Sequence, residues 1–145
     1  MKKIILIVVL ILAAVVGGLF YLGHKSGSGA APGLVAGQLT DCPSSPNCVS
    51  SKADSTQDSQ VEPFSVEIWG QIPAAIEAMG GTVTRQEERY IAAEFTSDLF
   101  GFTDDIEFRL VEDVVHVRSA SRVGHSDMGA NRKRVEALRE RLGNL

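Results

Sequence analysis

The chain has 145 residues and a net charge of −4, which is enough length for one membrane anchor and one small domain. This acidic balance argues against nucleic acid as a partner, because duplex binding draws on phosphate neutralisation by a basic face. The charge is uneven, since residues 35–113 carry 4 basic and 15 acidic side chains and residues 114–145 carry 7 basic and 3 acidic ones. The basic part can therefore form a local anion site or pair with the acidic part.

The N-terminal segment predicts a membrane anchor. Lys2 and Lys3 precede an uncharged apolar run of 19 residues, 4–22. At about 1.5 Å per residue such a helix rises roughly 28 Å, close to the hydrocarbon thickness of a bilayer. We expect residues 1–22 to be an uncleaved signal anchor in the cytoplasmic membrane, with a signal peptide cleaved after Ser28-Gly29-Ala30 as the alternative. Lysines at the N-terminus favour a single pass with the domain on the periplasmic or extracytoplasmic side.

The segment after the anchor predicts a tether and then an exported domain. Residues 23–40 are rich in Gly, Ser and Ala and predict a flexible linker, so the domain spans residues 41–145. Cys42 and Cys48 lie near the start of that domain. Two cysteines this close in an exported chain most simply form a disulfide that closes a small loop. Free or redox-active thiols and half of a metal site are the competing interpretations.

The pattern of apolar residues in the domain predicts a helix, then four strands, then a second helix. Apolar residues recur every three or four positions over residues 64–79, which is the pattern of an amphipathic helix. Alternating positions predict strands at residues 82–86, 90–96, 104–111 and 114–121. A last helix is predicted over residues 128–142, with Asp127 as its N-cap. Short links demand antiparallel hairpins, so the fold class is α+β: a four-stranded antiparallel sheet with two helices packed on one face, preceded by an N-terminal transmembrane helix.

An apolar connection joins the second and third predicted strands. It reads SDLFGFT at residues 97–103 and contains Leu99, Phe100 and Phe102. If this connection is exposed, it offers an apolar edge to a partner protein or to the membrane surface. We expect instead that it is buried and closes one end of the core.

The stretch with the greatest hydrogen-bonding capacity is VRSASRVGHSDMGANRKRV, residues 117–135. It predicts a strand that leaves the sheet, turns and enters a capped helix. The planar fork of arginine matches carboxylate or phosphate, and a helix N-terminus adds free N–H groups. We therefore predict an anion-binding corner there. The candidate ligand-binding residues are Arg118, Ser119, Ser121, Arg122, Ser126, Asp127, Asn131 and Arg132.

A structural interpretation of the same corner stays open. Arg118 can pair with Glu107 or Asp105 on the neighbouring strand, Asp127 can simply cap the helix, and Asn131 can bind backbone. The acidic and basic parts of the chain would then neutralise each other without any ligand.

Two chemical interpretations also stay open. A catalytic site would join a serine of the corner to His125 or His116 with an acidic residue, although the chain has no Gly-x-Ser-x-Gly elbow and no Ser-x-x-Lys pair. A metal site would use Asp104, Asp105, Asp127 and His125, but adjacent carboxylates and scattered histidines are a weak signal. No cofactor is predicted.

Two segments together resemble a known family. CPSSPNCVSS at residues 42–51 is one, and LFGFTDDIEFRL at 99–110 followed by VRSASRVGHSDMGANRKRVEALR at 117–139 is the other. In order and spacing they resemble the uncharacterised family catalogued as domain of unknown function 1499, over roughly residues 39–142. His125 departs from it, at a position where an aromatic residue is expected. The resemblance implies a domain behind a signal or membrane segment and brings no activity, substrate or cofactor.

The function predicted from these features is a membrane-anchored cell-envelope domain that acts as a non-catalytic binding or accessory module. Its corner would recognise an anionic group on a lipid, a cell-wall fragment or a partner protein. The alternative is a small envelope hydrolase that uses a serine or an acidic residue of the same corner. A third interpretation is a structural protein that assembles through the loop of Phe100 and Phe102.

Overall fold

The computed structural model describes residues 1–143 and has an α+β fold. A long helix, α1 (Lys2–Gly27), is followed by a small antiparallel pair of strands, β1 (Leu34–Val35) and β2 (Gln38–Leu39). The remaining elements are β3 (Cys48–Ser50), β4 (Phe64–Ser65), a 3₁₀ helix (Val66–Gln71), α2 (Ile72–Ala78), β5 (Thr82–Glu87), β6 (Tyr90–Thr96), β7 (Thr103–Val111), β8 (Val114–Ser121) and α3 (Ala130–Gly143).

The main sheet is antiparallel and has six strands, so the prediction of four was wrong in number. Strands β5 to β8 form consecutive hairpins at the predicted positions. Two further segments pair with the free edge of β8: β3 opposite residues 118–120 and β4 opposite residues 114–115. These two strands have three and two residues, which is too short for an alternating pattern to be visible in the sequence.

The first domain helix is shorter than predicted. Phe64 and Ser65 belong to the sheet, and a 3₁₀ helix covers the next six residues. The regular helix begins at Ile72 with Pro73 in its first turn, where the missing N–H of proline has no helical partner to lose. Ile72 and Ile76 are fully buried, so the predicted spacing did identify the face that packs on the sheet.

Helix α3 and its cap agree with the prediction. Asp127 accepts hydrogen bonds from the backbone N–H groups of Gly129 and Asn131, both at 2.9 Å. Helices α2 and α3 pack with one face of the sheet in a single core, to which α3 contributes Val135 and Leu138. The two-layer arrangement is therefore confirmed.

The opposite face of the sheet is covered by residues that follow α1. Leu39 is buried there against Tyr90 and Ala92, with Ala31 and Leu34 beside them. The segment predicted as a linker, 23–40, thus contains the last residues of α1 and the β1–β2 hairpin. The predicted disulfide is present and joins Cys42 to Cys48.

Helix α1 is longer than the predicted anchor and reaches Gly27. Among the described residues, α1 is the one helix that is both long enough and apolar enough to cross a membrane. The domain contacts its C-terminal end, where the backbone N–H of Thr103 donates to Ser26 Oγ at 2.9 Å. The connection at residues 97–102 lies beside it, and Leu99 is 70% exposed. The expectation that this connection is buried was therefore wrong for Leu99.

Candidate functional site

Strand β8 divides the predicted corner between the two faces of the sheet. Successive residues of a strand point to opposite sides. Arg118 therefore lies with Glu107 on the face away from the helices, whereas Ser119 lies with Asn131 on the helix face. Arg122 shares the face of Arg118. The alternation was visible in the sequence, but the prediction treated both sets as one site.

Arg118 is buried and uses one of its nitrogens to hold a carboxylate. Its Nη1 donates to Oε2 of Glu107 at 3.2 Å. The other oxygen, Oε1, accepts from the hydroxyl of Tyr90 at 2.7 Å and from the backbone N–H of Gly33 at 2.9 Å. Burial raises the pKa of Glu107 above its ordinary value, although the hydrogen bond from Tyr90 and the charge of Arg118 oppose the rise. Within residues 1–143 the buried Nε of Arg118 has no hydrogen-bond partner.

Arg122 is fully engaged by acidic side chains and by the end of α1. Its Nε and Nη2 hold the two oxygens of Asp105 at 2.8 and 2.7 Å, and Nη2 also donates to Glu94 at 2.8 Å. Its Nη1 donates to the carbonyl oxygen of Ser26 at 3.0 Å. The hydrogen bonds to Asp105 are the main reason why the pKa of Arg122 lies above its ordinary value. Arg122 therefore ties α1 to the sheet.

A cavity of about 310 Å³ opens on this face of the sheet. Arg118, Arg122 and Ser121 of the predicted corner line it, together with Asp105. Ala120 and Val123 line it as well, and the opposite wall comes from the end of α1 and the residues after it, which are Lys25, Ser26, Gly29, Ala30 and Pro32. Lys25 was not among the predicted site residues. A signal existed, because Lys25 is the first lysine after the apolar run.

The helix face holds a separate network centred on Asn131. This residue is fully buried. Its side-chain amide makes five hydrogen bonds, with Ser119, Arg134, Ser121, Asn47 and Asp127. The network joins α3 to β8 and to the segment before β3, so these predicted site residues hold the fold together.

Three further predicted residues lie at or near the start of α3. Asp127 caps α3, and although burial opposes ionisation, the hydrogen bonds from Asn131 and Gly129 hold its pKa below the ordinary value. Ser126 Oγ accepts from the backbone N–H of Met128 at 3.3 Å. Arg132 donates to two backbone carbonyls of the loop before β4, those of Asp58 and Gln60. Each of these contacts is internal to the domain.

A larger groove of about 620 Å³ separates the helix face from α1. Leu19 and Leu22 of α1 form part of its wall. Ser121, Ser126 and Asp127 line it from the domain, together with Arg134. Residues of the predicted corner therefore line more than one cavity, and Asp127 and Arg132 also line a further cavity of about 390 Å³.

The serine and histidine pairing required by the hydrolase interpretation does not form at the corner. In the part of the chain that the structure describes, His125 makes no hydrogen bond with Ser121 or Ser126, and Ser121 accepts from Asn131 instead. A serine and a histidine do meet elsewhere, where Ser51 Oγ lies 3.2 Å from Nδ1 of His116. Ser51 and His116 are 65 positions apart, so no local pattern in the sequence indicates their contact.

The contact between Ser51 and His116 has a structural explanation. Ser51 is buried, and its Oγ accepts from the backbone N–H of Val117 at 2.9 Å. His116 lines a cavity of about 350 Å³, but Ser51 is not among the residues that line it. The hydroxyl therefore holds the edge of the sheet and lies away from open space.

The metal interpretation fails on the geometry of β7. Asp104 and Asp105 are consecutive in this strand, so they point to opposite faces of the sheet. Asp104 pairs with Arg134, and Asp105 pairs with Arg122. Over residues 1–143, no group of three or more His, Cys, Asp or Glu side chains is placed to hold a metal ion.

The comparisons with known proteins give one result. The comparison with curated proteins finds no match, and neither does the comparison with solved structures. One family model, described as "Protein of unknown function (DUF1499)", matches residues 38–142. The matched range contains the disulfide, the whole six-stranded sheet, α2 and all of α3 except its last residue. The match covers more than half of the chain, so this protein belongs to the DUF1499 family.

Proposed function

We propose that this protein is a membrane-anchored, non-catalytic binding module of the cell envelope that recognises an anionic group in the cavity lined by Lys25, Arg118 and Arg122. The domain would lie on the extracytoplasmic side of the cytoplasmic membrane, because Lys2 and Lys3 precede the apolar run of α1. The observation that carries the proposal is the buried Nε of Arg118, which donates no hydrogen bond among the described residues. A buried donor without a partner costs free energy. The Nε is closed to solvent in this structure, so the proposal requires the Arg118 side chain to shift when a carboxylate or phosphate oxygen binds and accepts from it.

The charges around the cavity favour an anion over a cation. Lys25, Arg118 and Arg122 line its wall, but the two arginines are already paired with acidic side chains, which are Glu107, Asp105 and Glu94. Asp105 is already held by two nitrogens of Arg122. Lys25 is exposed, and within the described part of the chain it forms no ion pair. The positive charge that remains available is therefore that of Lys25, beside the incompletely paired Arg118.

The size and position of the cavity restrict the class of ligand that it can bind. Its volume of about 310 Å³ is at the low end of the range of about 300–1,000 Å³ for small-molecule sites. Its wall includes Lys25 and Ser26, which lie three and four residues after the end of the apolar run at Leu22. A phosphate or carboxylate group fits this chemistry, whether it is free in solution or is part of a lipid headgroup at the membrane surface.

Thermal unfolding of the full chain in a neutral detergent tests the proposal. Inorganic phosphate and acetate are added separately at constant ionic strength. A ligand at about 100 times its dissociation constant stabilises the folded state by roughly 2.7 kcal/mol. Lys25→Gln removes an exposed charge from the cavity wall, and Lys133→Gln removes an exposed charge from α3 as the matched control. We expect stabilisation in the wild-type chain and in Lys133→Gln, and weaker stabilisation in Lys25→Gln.

A comparison of two lipid compositions distinguishes a lipid headgroup from a free anion as the ligand. In nanodiscs of phosphatidylglycerol, a lipid ligand would stabilise the chain without added phosphate, and nanodiscs of phosphatidylcholine would not. A free anion would stabilise the chain equally in both. The proposal is rejected if neither anion nor phosphatidylglycerol stabilises the wild-type chain, or if Lys25→Gln responds like Lys133→Gln.

The hydrolase alternative has less support. It needs a serine of the corner that is free to react, and Ser121 and Ser119 are both engaged by Asn131. It also needs a base within hydrogen-bond reach, and His125 is exposed.

A further inference from the structure

We propose that Leu99, with the loop at residues 97–102, and Met128 enter the interface of the bilayer that α1 spans. The domain would then lie on the membrane surface. This inference depends on the position of apolar side chains along α1 and is independent of the anion site.

The loop lies beside the point where the apolar run of α1 ends. Phe100 packs edge to face against Phe20, with ring centroids 5.2 Å apart. The backbone of the loop also touches the helix, since a Cβ atom placed on Gly23 would come within 1.7 Å of the carbonyl oxygen of Phe100. The apolar run ends at Leu22, so these contacts place the loop at the level where the membrane would end.

Two large apolar side chains are exposed at this level. Leu99 is 70% exposed and Met128 is 90% exposed. Single exposed apolar residues are ordinary on a protein surface. These two, however, lie near the same end of α1: Leu99 is next to Phe100, and Met128 lines the groove that Leu19 and Leu22 also line. Both would be removed from water by a membrane surface at that height.

The groove beside α1 gives the second reason to choose lipid as the occupant. Leu19 lies within the apolar run, so in a membrane its surroundings are hydrocarbon. The domain side of the same groove carries Phe102, Val123 and Met128 beside polar side chains that include Asp127 and Arg134. The apolar part of this groove would be removed from water by acyl chains, while the polar part lies at the level of the lipid headgroups. The groove is continuous with the membrane-facing surface of α1, so we assign it to lipid of the same bilayer.

Fluorescent labels at single positions of the full chain test the proposal in phosphatidylcholine vesicles. Both native cysteines are held in the disulfide, so one introduced cysteine is labelled alone. Leu99→Cys and Met128→Cys carry an environment-sensitive dye at exposed sites. Val111→Cys is the matched control, since Val111 is apolar and 42% exposed. It lies eight residues along β7 from Thr103, which touches α1, or about 26 Å away at about 3.3 Å per residue.

We expect blue-shifted emission and strong quenching by spin-labelled lipids at positions 99 and 128. Depth analysis should place both labels within about 5–10 Å of the boundary between headgroups and acyl chains. The label at position 111 should be quenched by iodide in the water and not by the lipids.

Two results would overturn the proposal. If labels at 99 and 128 behave like the label at 111, this edge of the domain faces water. If they are shielded from both the lipid quencher and iodide, protein covers them, which means a second copy of the chain and not the bilayer.

Discussion

Arg118 meets Glu107 through one nitrogen, Nη1, at 3.2 Å in the buried face of the sheet. The carboxylate is completed by Tyr90 and Gly33, so Glu107 is well satisfied. The guanidinium is not, because its Nε is buried and donates to nothing among the residues described. Glu107 is thus fully hydrogen-bonded, whereas Arg118 keeps one N–H group that could donate to a ligand.

The pair of Arg122 and Asp105 should be a major source of stability. Both side chains are buried, and removing one partner leaves an uncompensated charge. We expect Arg122→Ala to lower the free energy of unfolding by about 3–5 kcal/mol. In the control Arg85→Ala, the lost pair with Glu87 is exposed, and the cost should stay below about 1 kcal/mol. Chemical denaturation followed by circular dichroism measures both. Equal effects of the two variants would contradict the assignment of Arg122 as a structural tie.

Because Asp127 caps α3, we expect the free energy of unfolding to decrease at acid pH. The pKa of Asp127 is lowered in the folded state, so its contribution is present above the ordinary value of 3.8 and is lost as pH falls through the lower folded value. We expect Asp127→Ala to cost about 0.5–2 kcal/mol at pH 7, and less at a pH below both values. Unfolding curves at several pH values test this, with the exposed Asp98→Ala as control. A cost that does not change with pH would show that the charge of Asp127 is unimportant.

The disulfide should stabilise the segment that leads into β3. Cys42 and Cys48 close a short loop, and Cys48 is itself a residue of β3 that pairs with Ala120. We expect the double variant Cys42→Ser, Cys48→Ser to lose about 2–4 kcal/mol of stability. A thiol reductant should destabilise the wild-type chain by the same amount and leave the double variant unchanged. A reductant that affects both chains equally would point to another cause.

Gly23 should be needed for the contact between α1 and the domain. A Cβ atom at this position would overlap the carbonyl oxygen of Phe100, whereas one at Gly17 would meet nothing within 4 Å. We expect Gly23→Ala to displace the loop and weaken the hydrogen bond from Thr103 to Ser26, and Gly17→Ala to leave it intact. Hydrogen exchange at the Thr103 amide measures this, with a loss of protection of about 0.5–1.5 kcal/mol, the net contribution of one hydrogen bond. Unchanged protection in Gly23→Ala would mean that α1 and the domain are not held together as described.

The sequence predicts those parts of the fold whose pattern extends over several residues. The alternation in β5 to β8 and the cap and apolar stripe of α3 were sufficient to locate them. The short strands β3 and β4 carry no such pattern and owe their conformation to pairing with β8. Here tertiary contacts, and not local preference, decide the structure.

The candidate site was predictable only in part, because its contacts are distant in sequence. The sequence offered Glu107 or Asp105 on the neighbouring strand as a partner of Arg118, and the register of β7 and β8 selects Glu107. The contact between Arg122 and Ser26 joins residues 96 positions apart, so nothing local indicated it. Lys25 is marked in the sequence as the first lysine after the apolar run, but it reaches the cavity only because α1 ends beside β8.

The most direct test of the proposed anion site is an NMR titration that follows the Nε–H signal of Arg118, assigned by its loss in Arg118→Lys. Phosphate is added to the full chain in detergent at constant ionic strength. We predict a saturable shift of this signal and none for the Nε–H of Arg139, whose terminal nitrogens already donate to backbone carbonyls of Glu62 and Pro63. An Arg118 signal that stays fixed, or that moves only as the Arg139 signal does, would contradict the account.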